Sequence, residues 1–76
     1  MPIVEVNDFV SIHEDVIDRK VAQLMLQNKN KQAARWESYR NLSFRVKGFD
    51  EQGLAILLDV NNNEIHISKR ALYITV

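Results

Sequence analysis

Near residue 41 the spacing of apolar side chains changes from every third or fourth residue to every second, and no single kind of secondary structure accommodates both periods. Upstream, Val16, Ile17, Val21, Leu24 and Met25 line one face of a helix. Asp15 stands where it would cap that helix, and Asp15 and Asp18 suit the positive end of its dipole. The stripe stops at Asn28-Lys29-Asn30, which offers no apolar anchor and predicts a turn. A second helical stretch is expected from about 32 to 40, carrying Ala33, Ala34, Trp36 and Tyr39. One continuous helix is the alternative.

Downstream, Leu42, Phe44 and Val46 alternate with Ser43, Arg45 and Lys47, as in a strand with one buried face. After the turn Asp50-Glu51-Gln52-Gly53, the residues Leu54, Ile56, Leu58 and Val60 are expected to point inward. Asparagine tolerates left-handed backbone, so Asn61-Asn62-Asn63 predicts a hairpin tip before Ile65 and Ile67. Lys69-Arg70-Ala71 interrupts the pattern, and a closing strand spans Leu72 to Val76. At the other end Val4, Val6, Val10 and Ile12 alternate around Asp8, which favours a first strand over a helix beginning near Asn7. The expected fold is α+β, mainly β: a five-stranded antiparallel small barrel with a helical insertion at about 15–40.

A chain of 76 residues makes one domain, 1–76, with a single core. It has no cysteine, so neither disulfides nor thiolate metal sites support that core, which must hold alone or with the help of homo-oligomerisation. The apolar fraction of 46% and charged fraction of 26% are those of a globular protein. No apolar run approaches the roughly 20 residues that span a bilayer, and no positive flank precedes an apolar stretch at the start. A soluble, cytoplasmic protein with no membrane partner is expected.

A net charge of zero conceals strong segregation. Residues 1–18 hold Glu5, Asp8, Glu14, Asp15 and Asp18 with no Lys or Arg, whereas 19–47 hold eight basic residues against Glu37 alone. Within the basic segment, cations are interleaved with two aromatic rings. Cations neutralise phosphate and release counterions, and Trp or Tyr rings stack on exposed bases. The expected contact surface for RNA or single-stranded DNA is Lys29, Lys31, Arg35, Trp36, Tyr39, Arg40, Arg45 and Lys47, extended by Lys69 and Arg70. Against this, Trp36 and Tyr39 share a helix face, and a lone Trp in a small domain is more often a packing anchor than a stacking platform. The sequence pI near 6.7 also differs from the value above about 9 common among nucleic-acid-binding domains. The alternative is a protein-interaction or regulatory module that docks on a larger partner through the acidic segment 5–18 or an unpaired strand edge.

Enzymatic motifs are missing. His13, Glu14, Asp15 and Asp18 suggest a metal cluster, but a helical zinc site needs a second histidine where Ile17 stands, and His66 lies far along the chain. With only Gly48 and Gly53 there is no phosphate-binding glycine loop and no nucleophile elbow. Asp50-Glu51 falls in a turn. A non-enzymatic protein without metal or cofactor is expected.

The segments Val46-Lys47-Gly48-Phe49-Asp50, Leu54-Ala55-Ile56-Leu57-Leu58 and Ile67 to Val76, joined by an Asn-rich hairpin, resemble the barrel of Sm-like proteins, the bacterial Hfq type especially. The resemblance covers about the last 35 residues. It implies a small barrel that assembles into rings and binds RNA. Phe44 stands where that family usually has a strand glycine, and Arg70 where the Hfq type has histidine. The wider SH3-like group of small barrels is similar in the order of its elements.

Overall fold

Five described residues with left-handed backbone stand at turns of the chain: Asn7 (φ 73°), Asn28 (60°), Asn41 (61°), Gly53 (82°) and Asn62 (62°). The computed structural model describes residues 3–75. Between these reversals lie β1 (Phe9–Ile12), α1 (Glu14–Leu26), α2 (Asn30–Glu37), β2 (Phe44–Phe49), β3 (Ala55–Leu58) and β4 (Glu64–Ile67). A one-turn 3₁₀ helix (Lys69–Ala71) then leads into β5 (Leu72–Ile74). The chain forms two compact units, a sheet unit of residues 1–11 and 43–76 and a helical unit, Ile12–Leu42, inserted in sequence between them.

In the helical unit, α1 ends in a Schellman arrangement. Asn28 adopts the left-handed conformation, the Lys29 amide donates to the Leu24 carbonyl at 2.8 Å, and the Asn28 amide donates to Met25 at 3.0 Å. The chain therefore reads as two helices, and the continuous-helix alternative fails at Asn28. Asp15 does not cap α1: the N-cap is His13, whose side chain makes no capping bond, and Asp15 sits in the first turn beside Glu14. Both carboxylates still favour the dipole. The second helix begins and ends earlier than the apolar spacing predicts, so Tyr39 and Arg40 lie in the turn after it.

The sheet unit is an open five-stranded sheet in the order β4-β3-β2-β1-β5. β1 pairs antiparallel with β2, β2 with β3 and β3 with β4. At the far side the Thr75 amide donates to the Phe9 carbonyl at 2.9 Å. Val10 faces Phe44, and Val46 faces Leu57, which faces Ile65; all five are buried.

The inward phase of β3 differs from expectation. Ala55 and Leu57 are the fully buried positions, while Leu54, Ile56 and Leu58 are only partly covered and Val60 is 88% exposed. Two causes combine. Every residue from Leu54 to Leu58 is apolar, so alternation alone sets no phase. Pairing then sets it: Leu57 lies opposite buried Val46, and the bulge at Lys47 is on β2, so β3 keeps a regular alternation. Leu42 precedes β2 and is 37% exposed, and the expected alternation from Val4 is interrupted by the turn at 6–7. Val76, expected in the closing strand, lies outside the described residues.

Both hairpin tips share one construction. In the first, the Asp50 carboxylate accepts from the Gln52 and Leu54 amides, each at 2.9 Å. In the second, Asp59 accepts from the Asn61 and Asn63 amides at 2.8 and 2.9 Å. A left-handed residue follows each aspartate by three positions, Gly53 and Asn62. These Asx turns set the strand ends.

Because Leu57 rather than Leu58 occupies the core, Leu57→Ala is expected to cost about 2–5 kcal/mol in urea unfolding, and Leu58→Ala distinctly less. Equal losses would contradict the observed phase.

Candidate nucleic-acid interface

Grouped by unit instead of by sequence block, the charges partly cancel. The helical unit has six basic side chains against four acidic ones, and the sheet unit four against six. The ten residues expected at one surface therefore belong to two units: Lys29, Lys31, Arg35, Trp36, Tyr39 and Arg40 to the helices, Arg45, Lys47, Lys69 and Arg70 to the sheet.

Several of these side chains are already engaged. Arg40 donates to Glu37, at 2.7 Å, and also to Asp18; the two acids raise its pKa further above the guanidinium norm, and the bond from Arg40 holds Glu37 below the usual carboxylate range. Its charge is met within the unit, so Arg40 departs from the role expected of a free phosphate contact. Tyr39 departs too: it is 5% exposed, with its ring centroid 5.3 Å from that of Trp36 in an edge-on arrangement. A buried ring cannot stack on a base. Trp36 is half-buried, and the Lys20 ammonium lies 5.7 Å from its ring centroid. Lys20 was not among the expected contacts, and its spacing of sixteen residues from Trp36 gives no local signal.

Lys29, Lys31 and Arg35 differ. All three are exposed, and among the described residues none has a carboxylate partner in the ion pairs of the helical unit. Lys31 and Arg35 are four apart on α2, so like charges share one helix face, an arrangement that costs an isolated helix a few tenths of a kcal/mol. Lys29 is the N-cap of α2, with no side-chain cap and no acid in the first turn, so positive charge gathers at the positive end of the dipole. A shallow recess of about 370 Å³, formed by residues 28–32, opens at this end.

In the sheet unit, Lys47 is bound to Glu64, and Arg45 donates to the Asn7 side-chain oxygen at 3.2 Å. The Lys69 ammonium lies 5.2 Å from the centroid of the Phe49 ring, and Arg70 is exposed. His66 bridges two acids: Nδ1 is 2.9 Å from Asp50 and Nε2 is 3.6 Å from Glu64. The hydrogen bond with Asp50 is the main cause that raises the His66 pKa above its ordinary value and lowers that of Asp50, while Glu64 is lowered chiefly by Lys47.

The acids of the segment 5–18 are also dispersed. Asp8 accepts from the Glu5 amide at 2.9 Å, Asp15 lies 3.7 Å from Arg19, and Asp18 holds Arg40. Among the described residues no group of three His, Cys, Asp or Glu side chains is placed to hold a metal, and no helix is long and apolar enough to cross a membrane. Compared with protein-family models, curated proteins and solved structures, the chain matches none.

The ion pairs imply a definite pH response. His66 is raised in the folded state, so its stabilising contribution is present below the unfolded value near 6.5 and is lost as pH rises through the folded value. Asp50 and Glu64 are lowered, so their contributions are lost as pH falls through their folded values. An NMR titration of the His66 ring is expected to have its midpoint above about 6.5, and Asp50→Asn to bring it down. A midpoint unaffected by Asp50→Asn would refute the bridge.

Proposed function

We propose that this protein is a small, non-enzymatic module that binds single-stranded nucleic acid, RNA or DNA, through Lys29, Lys31, Arg35 and the exposed part of Trp36. The carrying observation is that these three cations stand together on and before one helix without intramolecular acids, while Arg40 and Lys47 are neutralised by neighbours. Phosphate near α2 relieves the Lys31–Arg35 repulsion and complements the dipole. The partly covered indole offers a base one stacking surface, since Lys20 lies over the ring.

The small-barrel reading belongs to the same proposal. The strand order β4-β3-β2-β1-β5, with a one-turn helix before β5, supports it, since pairing of the two edge strands would close the sheet. The resemblance to Sm-like proteins then suggests RNA over DNA. Protein docking through the acidic segment is less favoured, because its acids are divided between two units and several already have partners.

Fluorescence anisotropy with labelled single-stranded oligonucleotides tests the function. With three phosphates neutralised, the log–log salt slope for a single strand is expected near about −2. The double variant Lys31→Glu/Arg35→Glu should weaken binding at least about tenfold, and Lys47→Ala should change it little. A flat salt response, or a Lys47→Ala loss equal to that of the double variant, overturns the reading.

A further inference from the structure

The sheet unit contains a second feature that the basic residues do not use. A groove of about 530 Å³ is lined by Asn7, Asp8 and Phe9, by Ser43, and by Ile74 and Thr75. Its volume falls in the range of small-molecule sites, and its walls combine apolar area with a few convergent polar groups. Three stretches distant in sequence meet there, held by backbone bonds: Asn7 amide to Val46 carbonyl at 2.8 Å, Val46 amide to Asp8 at 2.9 Å, Thr75 amide to Phe9 at 2.9 Å. The groove is thus preformed rather than assembled by a ligand.

Its chemistry is specific. Phe9 is 55% exposed although it sits in a strand beside fully buried Val10, so a flat aromatic surface is left uncovered, with Ile74 half-exposed as well. Around it lie both donors and acceptors. The Asn7 oxygen is occupied by Arg45, which leaves its two amide N–H groups. Asp8 accepts the Glu5 amide through Oδ2, which leaves Oδ1. The Ser43 and Thr75 hydroxyls are 3.2 Å apart and share one proton between them, leaving another to donate outward. The only formal charge among the lining residues is the Asp8 carboxylate, in a unit with more acids than bases. Against that carboxylate a phosphate is disfavoured and a neutral ring with N–H groups on its edge is favoured, the neighbouring Arg45 guanidinium being engaged by the Asn7 oxygen.

We propose that this groove binds one nucleobase, its ring against Phe9 and its hydrogen-bonding edge toward Asp8, Asn7 and the hydroxyl pair, with sugar and phosphate outside. Guanine suits it best, because its two adjacent N–H donors meet Asp8 Oδ1 and the second lone pair of Oδ2. The base comes either from a free nucleoside or from a single strand. Only the second source rests on the function proposed above.

The test uses the full-length ¹⁵N-labelled protein with guanosine, uridine and a short single-stranded RNA containing guanine. Guanosine is expected to shift the amides of Asn7, Asp8, Phe9, Ser43 and Thr75 more than uridine does. Phe9→Leu, which keeps the apolar volume, should weaken this about tenfold, and Asp8→Asn should abolish the preference for guanosine. If RNA shifts these amides and guanosine alone does not, the strand delivers the base, and the proposal stands. Shifts with neither ligand, or shifts unchanged by both variants, overturn it. In the Lys31→Glu/Arg35→Glu variant, guanosine binding should persist even where RNA binding is lost, which separates failure of this site from failure of the helical one.

Discussion

Left-handed backbone is expensive for most residues, and this chain adopts it at five described positions, four filled by asparagine and one by glycine. Those residue types bear the conformation at least cost, and each one sits where the direction of the chain must change. The rest of the architecture depends on them. Asn28 ends α1 and allows α2 to begin, so the lysines at 29 and 31 fall at a helix start rather than in mid-helix. Asn7 turns the chain into β1 and presents Asp8 and Phe9 to the groove. Gly53 and Asn62 complete turns in which an aspartate three residues earlier collects two backbone amides. Asn41 precedes the return to the sheet.

Charge is organised by pairing more than by sequence block. The acidic and basic segments look like opposing patches in one dimension, yet folding joins Asp18 to Arg40 and Lys47 to Glu64. Exposed pairs of this kind contribute little to stability, so their main consequence is to decide which cations remain available. On the helical unit that leaves Lys29, Lys31 and Arg35, with Lys20 drawn over the Trp36 ring. The two proposed contacts then divide recognition in the usual manner of nucleic-acid proteins: cations address the backbone, and a recess with an aromatic wall addresses a base.

Much of the fold was legible in the residues. The helix break, the five strands, the two Asx hairpins and the interruption before β5 each follow from a local signal of a few residues. The inward face of β3 was not, because Leu54–Leu58 is apolar throughout and its phase is set by pairing with β2, Leu57 opposite Val46, next to a bulge at Lys47. Gly48 was the available hint, since glycine inside a strand often accompanies a bulge. For the site, local spacing could have shown the Glu37–Arg40 pair, three residues apart, whereas the Asp18–Arg40 contact spans 22 residues and needs the fold. Trp36 and Tyr39 were ambiguous for a related reason: their spacing places them together but does not say which is covered. The groove, drawn from three separate segments, left no trace in the sequence.

Lysine acetylation footprinting of the intact protein, with and without single-stranded RNA, addresses the claim that internal pairing selects the binding cations. Strong protection of Lys29 and Lys31 by RNA is expected, with Lys47 reacting at the same rate in both states. Protection of Lys47 equal to or greater than that of Lys29 and Lys31 would contradict it.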